Sequence, residues 1–164
     1  MIWNKENVIS KLVGIIAFVV LSLNYIPAHA AELKVLDKYF YGEVVISGET
    51  GHRKKTTRIP NVPDKMCFGW VITVEPGDEL AKITEIFTLP GPPKNWGGVE
   101  DDPYSQTTTS PDRKTATTTR FMPLKSGTLE NNWCITQGDQ SGDHHIVVLY
   151  GTQVLAEFEF EVYD

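Results

Sequence analysis

The sequence predicts an all-β protein, a two-sheet sandwich of about seven to nine strands. The clearest observation is the closing stretch His144 to Asp164, in which two apolar runs flank Gly151-Thr152. Glycine at the first central position is what a two-residue type II′ hairpin turn requires. In addition, short apolar or β-branched runs recur between turn residues along the chain, and no long amphipathic helix is indicated after residue 30.

Side-chain alternation predicts which residues of this closing hairpin face the core. If Tyr150 pairs with Gln153, the residue opposite His145 is Phe158. One face is then apolar and the other mostly acidic, so the hairpin covers a core made by the rest of the chain. The expected apolar face consists of Val154, Ala156, Phe158, Phe160 and Val162, and the expected outer face of Leu155, Glu157, Glu159, Glu161 and Tyr163.

Residues 1–30 have the pattern of a signal peptide. Lys5 and Lys11 precede an uncharged apolar run, Leu12 to Ile26, and Ala28-His29-Ala30 supplies the small-x-small cleavage pattern. An uncleaved membrane anchor is the alternative, but the run is shorter than the ~20 residues of a spanning helix. Cleavage leaves residues 31–164 as a single domain with no stable membrane span.

The charge of that domain narrows the classes of partner. Without the three charged residues of the leader, 13 basic and 20 acidic residues remain, a formal charge of −7. A nucleic-acid or anionic-membrane binder would carry a basic face, so neither partner is expected.

The first half of the domain contains three strand patterns. Leu33 to Ile46 predicts one long bent strand or two short ones that meet at Gly42. His52 to Ile59 predicts an edge strand whose basic residues oppose edge-to-edge pairing, with a polybasic ligand site as the alternative. Met66 to Val74 is almost continuously apolar, which is typical of a central, buried strand.

The second half continues with shorter patterns. Ala81 to Leu89 alternates as a strand, whereas the proline- and glycine-rich stretch Pro90 to Pro103 predicts a surface excursion. Threonine-rich runs on both sides of Ser110 to Arg113 favour an exposed hairpin. Trp133 to Ile135 is a short apolar strand.

Cys67 and Cys134 are the two cysteines of the domain, and an exported protein meets an oxidising compartment. We expect one disulfide between them, which stabilises the fold by about 4 kcal/mol in the chain-entropy model. The alternative is two buried thiols. Neither cysteine has a second one nearby, so a CxxC redox motif and an all-cysteine zinc site are excluded.

Two segments resemble the bacterial family catalogued as domain of unknown function 3859. One runs from Thr57-Arg58-Ile59-Pro60 through Phe68-Gly69-Trp70 to the proline-rich Leu89 to Pro93. The other is the closing strand pair, Val147 to Gly151 and Val154 to Val162. A Pro-Gly-x-Trp-like approach to the last hairpin is replaced here by Ser141-Gly142-Asp143-His144. The resemblance implies an immunoglobulin-like sandwich, export, and no assigned catalytic residue.

Two clusters of polar side chains suggest chemistry, and both have a simpler interpretation. Asp139, Asp143, His144 and His145 offer metal-ligand groups, but alternation sends the two histidines to opposite faces. We expect a hydrogen-bonded turn with one histidine capping the core beside Phe158, and no metal or other cofactor.

The acidic run Glu100, Asp101 and Asp102 suggests calcium binding or acid catalysis. Three adjacent carboxylates on a loop are more often a solvated charge run. No catalytic motif accompanies them, so no catalytic residue is predicted.

Aromatic residues give the strongest indication of binding. Trp96 lies in the Pro/Gly-rich loop with Tyr104 nearby, where an exposed ring can stack on a sugar or anchor a protein. The alternative for Trp96 is a ring folded back on its own prolines. Trp70 and Trp133 lie on the strands of the cysteines, and we expect them to pack in the core around the bridge.

Together these patterns predict an exported, non-enzymatic β-sandwich, periplasmic or secreted, that binds a protein or cell-envelope component through loops or an edge strand. The second hypothesis is a carbohydrate-binding module that uses Trp96 and Tyr104. A hydrolase with its acids in the loop from Glu100 to Asp102 is the third.

Overall fold

The computed structural model describes residues 32–46, 49–94, 96 and 104–164. Across these ranges the chain forms ten strands and no helix, so the predicted all-β class is confirmed. The strands are β1 (Val35–Ile46), β2 (Glu49–Lys55), β3 (Arg58–Pro60), β4 (Met66–Val74), β5 (Leu80–Thr88), β6 (Ser105–Thr109), β7 (Thr115–Pro123), β8 (Thr128–Cys134), β9 (Gly142–Tyr150) and β10 (Gln153–Tyr163). The expected signal peptide, residues 1–30, lies outside the described residues. Within the described ranges no helix has the length and apolarity to cross a membrane.

The strands form two sheets. One has the order β2-β1-β4-β8 and the other the order β3-β10-β9-β5-β7-β6. Neighbouring strands are antiparallel except for β3, which runs parallel to β10. The near-continuously apolar β4 lies inside its sheet between β1 and β8, as its sequence predicts, because a strand buried on both faces needs no polar side.

One predicted edge strand is in fact two strands in different sheets. We expected His52 to Ile59 to form a single strand, but β2 ends at Lys55 and β3 begins at Arg58. β2 closes the edge of the smaller sheet and β3 the edge of the larger one. This split brings the strand count to ten rather than the expected seven to nine.

The basic side chains of β2 are engaged within the fold. Arg53 donates to Glu130 at 2.8 Å and its guanidinium lies 4.5 Å from the ring centre of Tyr41. Lys55 lies 4.3 Å from the ring centre of Tyr39. These contacts agree with the edge-strand interpretation, because the cations cover aromatic rings of the neighbouring strand.

The closing hairpin forms as predicted near its turn and departs from the prediction further on. Tyr150 pairs with Gln153, and Gly151 has φ +58°, the left-handed region expected at that position. A β-bulge between Val154 and Ala156 then shifts the register by one residue, so Phe158 lies opposite Ile146 instead of His145. Leu155 is therefore buried and Val154 is 55% exposed, the reverse of the expected faces.

Aromatic rings from both sheets meet in the core. The ring of Phe160 lies 4.4 Å from that of Phe40 and 4.8 Å from that of Phe68. Phe40 and Phe68 belong to the smaller sheet and Phe160 to the larger, so this contact joins the two layers. The hairpin therefore covers the core, as the sequence predicts.

Candidate functional site

A cavity of about 330 Å³ opens at one end of the sandwich. The carboxyl end of β5, the end of β8, the start of β9, the proline-rich segment after β5 and the turn before β9 surround it. Its apolar wall includes Phe87, Leu89, Trp96, Trp133 and Ile135, and its polar groups include Arg120, Asn132, Asp139, Gln140 and His144. Small-molecule sites have this combination of an apolar wall with a few polar groups, and volumes of about 300–1,000 Å³.

Trp96 forms one wall because two turns hold its loop. Its indole N–H donates to the carbonyl of Arg113 at 2.9 Å, and its ring meets Phe87 edge-on with 5.8 Å between ring centres. Arg113 in turn donates to the carbonyls of Pro93 and Lys94 at 3.2 and 3.0 Å. The turn between β6 and β7 therefore fixes the position of the tryptophan.

The opposite side of the same loop is held by the turn before β9. Gln140 Nε2 donates to the carbonyl of Pro92 at 2.9 Å, and Gly91 packs so closely on the amide of Gln140 that a Cβ there would clash with it. A side chain at position 91 would therefore require the Gln140 amide to move from its contact with Pro92.

The sequence left two alternatives for Trp96, a ring folded back on its own prolines and a binding platform, and both stay predictions. The ring is half-buried against Phe87, and its remaining surface lines the cavity. Tyr104 stands at the start of β6 with 70% of its surface exposed and does not line this cavity. Ligand binding by Trp96 or Tyr104 stays a prediction.

Beneath the cavity, a buried carboxylate joins the two sheets. Glu85 on β5 is 4% exposed and accepts hydrogen bonds from three side chains of the facing sheet. These donors are Trp133 Nε1 at 2.9 Å, Asn131 Nδ2 at 3.1 Å to each oxygen, and Trp70 Nε1. Donors on both oxygens are what a buried carboxylate needs to offset its lost hydration.

Sequence reasoning missed this network, although a signal was present. Ile83, Glu85 and Phe87 share one face of β5, so a charged residue stood in an apolar row. What the sequence did not indicate is that Asn131 and Trp133, which belong to β8, lie across from that row.

Arg120 on β7 extends the network to the cavity. Its Nη1 donates to Asn131 Oδ1 at 2.8 Å, and Asn131 Nδ2 in turn donates to Glu85. The Nε of Arg120 is buried and has no hydrogen-bond partner. Arg120 also lines the cavity, and its Nη2 makes no hydrogen bond to the described residues.

His144 stands at the other side of the cavity as a neutral ring. Burial lowers the pKa of His144, against the smaller opposing effect of its hydrogen bond to Gly142. Since a carbonyl only accepts, His144 Nδ1 carries the proton and donates to the Gly142 oxygen at 2.9 Å. The ring stacks on Phe160, 5.1 Å away, rather than on Phe158, because the bulge in β10 shifts the register.

The other residues that offered metal-ligand groups in the sequence make separate contacts. Asp139 accepts from the N–H and the hydroxyl of Thr136 at 2.7 and 3.2 Å, which is the expected turn. His145 lies on the outer face, where it contacts Glu157 at 2.7 Å. Among the residues that the structure describes, no three His, Cys, Asp or Glu side chains come together to hold a metal. The acidic run Glu100 to Asp102 lies outside them.

The expected disulfide is confirmed, although its setting differs from the prediction. Cys67 and Cys134 lie directly opposite each other on β4 and β8, within one sheet. Because side chains alternate, the bridge lies on the outer face while Trp70 and Trp133 point into the core. The two tryptophans therefore pack around Glu85 and not around the bridge.

The fold and its two-sheet order define an immunoglobulin-like β-sandwich protein. The chain belongs to the family described as PM0630 beta sandwich domain, whose model matches residues 40–163. The resemblance to domain of unknown function 3859 stays a prediction, because the matched family carries a different description. The immunoglobulin-like sandwich that it implied is confirmed.

A solved structure supports the same fold. An immunoglobulin-like protein (PA1606) from Pseudomonas aeruginosa superposes with a TM-score of 0.52 at 20% identity, covering 81% of this chain and 98% of that one. This likeness shows the fold alone. The Pseudomonas fluorescens alkylpurine DNA glycosylase AlkC, bound to DNA with an abasic-site analog, reaches a TM-score of 0.38 at 11% identity, covering 82% of this chain and 31% of that one. A score that low carries no argument. Comparison with curated proteins finds no match.

Proposed function

We propose that this protein is an exported, non-enzymatic binding module that recognises a protein or another component of the cell envelope. The observation that carries the proposal is the cavity, whose wall includes Phe87, Trp96 and Trp133. Interfaces concentrate their binding energy in such water-excluding aromatic pockets.

The way the cavity is built favours recognition over catalysis. Hydrogen bonds from Arg113 and Gln140 hold its loop in place, so little ordering of this wall is required on binding. The acidic groups beside it already accept hydrogen bonds, Glu85 from the facing sheet and Asp139 from Thr136. Neither carboxylate is placed as a free acid or base.

Export is supported by two independent features. The pattern of residues 1–30 is that of a signal peptide, and the disulfide Cys67–Cys134 and the fold are compatible with an extracytoplasmic protein. We expect fractionation to find the protein outside the cytoplasm with Ala31 as its first residue. Recovery of a cytoplasmic chain that begins at Met1 would contradict export.

Site-specific crosslinking tests the binding role. A photoreactive residue at Thr136, which is exposed and lines the cavity, should crosslink a defined envelope component in intact cells, identified by mass spectrometry. The same residue at the exposed Leu36 on β1, which does not line the cavity, is the matched control. The product should disappear on Trp96→Ala. A product that survives this substitution places recognition elsewhere on the molecule.

A carbohydrate-binding module is the second candidate. It is favoured by the amide and carboxylate groups of Asn132, Gln140 and Asp139 beside the two tryptophans, since sugars bind through stacking and hydrogen bonds. Saturable quenching of tryptophan fluorescence by envelope saccharides, lost on Trp96→Ala, would support it over the first.

A further inference from the structure

The described residues that line the cavity include one cationic side chain, and not all of its N–H groups have an acceptor. Of the described residues that line it, Arg120 is the one lysine or arginine. Its single hydrogen bond goes to Asn131, whereas its Nε is buried without a partner. A ligand cannot reach Nε, which has almost no accessible surface, but Nη2 makes no hydrogen bond to the described residues and is left as a donor for an acceptor in the cavity.

The acidic groups nearby do not accept hydrogen bonds from Arg120. Glu85 takes its hydrogen bonds from Asn131 and two tryptophans, and within the described chain no carboxylate forms a salt bridge with Arg120. Asp139 is bonded to Thr136. Since burial lowers the pKa of His144, that ring is neutral near pH 7 and adds no second positive charge.

The charges around the cavity exclude a dianion. Two carboxylates surround the single cation, since Asp139 lines the cavity and Glu85 lies one side chain beyond Arg120, across Asn131. A dianionic phosphate would meet no second cation among the described lining residues. A carboxylate carries one charge, and one of its oxygens can accept a charge-assisted hydrogen bond from the guanidinium.

The rest of the ligand must be apolar. Opposite the polar groups, the wall is formed by Phe87, Leu89, Trp96 and Ile135 together with Trp133. The volume of about 330 Å³ accommodates a group such as one aromatic ring on a short chain.

We propose that the cavity binds an apolar group that ends in a carboxylate, with the carboxylate on Arg120 and the apolar body against Trp96, Trp133 and Phe87. This inference rests on the proposed binding function and names the chemistry of its ligand. Two sources share that chemistry, a free carboxylic acid and the C-terminal residue of a partner chain.

Calorimetry on the processed protein tests the assignment with matched pairs of probes. One pair is 4-phenylbutyrate and its neutral amide; the other is the peptide acetyl-Ala-Leu-Phe with a free or an amidated C-terminus. In each pair that binds, we expect the acid to bind about ten- to a hundredfold more tightly, the range for hydrogen bonds to a charged group. Preference for the free peptide acid over phenylbutyrate identifies a chain terminus as the source, and the reverse identifies a small acid.

Variants assign the effect to Arg120. Arg120→Met should abolish the preference for acid over amide, and Arg120→Lys should retain part of it. Arg58→Met removes an exposed arginine that pairs with Glu161 and should leave the preference unchanged. Thermal melts check that each variant folds. If Arg120→Met does not fold, the comparison of acid with amide on the unsubstituted protein still tests whether the cavity prefers a carboxylate.

The outcomes separate this inference from the proposed function. Equal binding of acid and amide, no binding of either pair, or tighter binding of phenylphosphonate would overturn the carboxylate assignment. In those cases the crosslink from Thr136 and its loss on Trp96→Ala would still support the proposed binding function, because they test whether the cavity is occupied and not which chemical group occupies it.

Discussion

At the scale of single residues, Glu85 is the most consequential side chain of the interior. An immunoglobulin domain ties its two sheets with a disulfide beside a buried tryptophan. Here the tie between layers is a carboxylate on β5 that accepts from Trp70, Asn131 and Trp133 of the facing sheet. The same network contacts Arg120, which lines the cavity, so it joins the interior of the sandwich to the proposed binding site.

We expect Glu85→Gln to lower the free energy of unfolding by about 3 kcal/mol, because the new amide N–H₂ faces donors that lose their acceptor. Glu159→Gln, an exposed acid on the outer face of β10, is the matched control and should change little. Urea unfolding followed by tryptophan fluorescence measures both. Equal stabilities would show that the network contributes nothing net.

His144 should make stability depend on pH. Burial lowers its pKa in the folded protein from the ordinary 6.5, so on acidification the unfolded chain takes up the proton first. The contribution of this residue is therefore complete above pH 6.5 and is lost as the pH falls through the lowered folded-state value. Unfolding at a series of pH values should show a shallower acid-side slope for His144→Phe than for the unsubstituted protein.

His145→Gln is the control for that series. This histidine lies on the outer face, where it contacts Glu157. A slope that changes equally in both variants would assign the effect to general charge and not to burial.

At the scale of the elements, small irregularities decide which residues are buried. The bulge in β10 exchanges Val154 for Leu155 in the core, and the break after Lys55 sends β2 and β3 to different sheets. The bulge reverses the faces of Val154 and Leu155 and leaves the residues beyond it on the expected faces, with Ala156, Phe160 and Val162 buried.

Close packing between β4 and β8 explains the glycine in the otherwise bulky β4. A Cβ at Gly69 would clash with the backbone oxygen of Asn131 and lie 2.8 Å from Tyr41 Oη. We therefore expect Gly69→Ala to destabilise the protein by about 2–3 kcal/mol, since backbone cannot move aside cheaply.

Gly77→Ala is the control, because the added methyl would meet Leu124 and Glu79 only at 3.6–4.0 Å, which is ordinary contact. Its stability should stay within about 0.5 kcal/mol of the unsubstituted protein. Thermal unfolding of the two variants side by side measures the difference, and similar losses for both would refute the packing argument.

At the scale of the whole molecule, the disulfide links distant parts of the chain but only one of the two sheets. Cys67 and Cys134 are 67 residues apart in sequence and neighbours across β4 and β8. The bridge therefore restricts the unfolded chain, while the aromatic core and Glu85 hold the sheets together in the folded one.

The double variant Cys67→Ala, Cys134→Ala should fold to the same structure and lose about 4 kcal/mol of stability, the loop-closure contribution. Circular dichroism should keep its β-sheet form, and urea unfolding should report the loss. Addition of reductant should shift the unsubstituted protein toward the variant and leave the variant itself unchanged. A variant of undiminished stability would contradict the estimate.

Several of these features could be predicted from neighbouring residues alone. Gly151 indicates the hairpin turn, and the apolar run from Met66 to Val74 indicates a central strand. With two cysteines in the sequence there is one pairing to choose. The bulge at Leu155 was not predicted, although Val154, Leu155 and Ala156 are three consecutive apolar residues and interrupt the alternation at that point.

By itself, the sequence determined the all-β class, the turn that closes the chain, the cysteine pair and the presence of an aromatic residue in the proline-rich loop. Only the tertiary structure decided that Glu85 meets residues of β8, that Arg120 reaches the cavity with unused donors, and that Trp96 forms its wall. The physical reason is the distance along the sequence over which each interaction acts. Alternation and turn chemistry act between adjacent residues, whereas the contact of Glu85 with Asn131 joins positions 46 residues apart and exists only once two sheets have packed face to face.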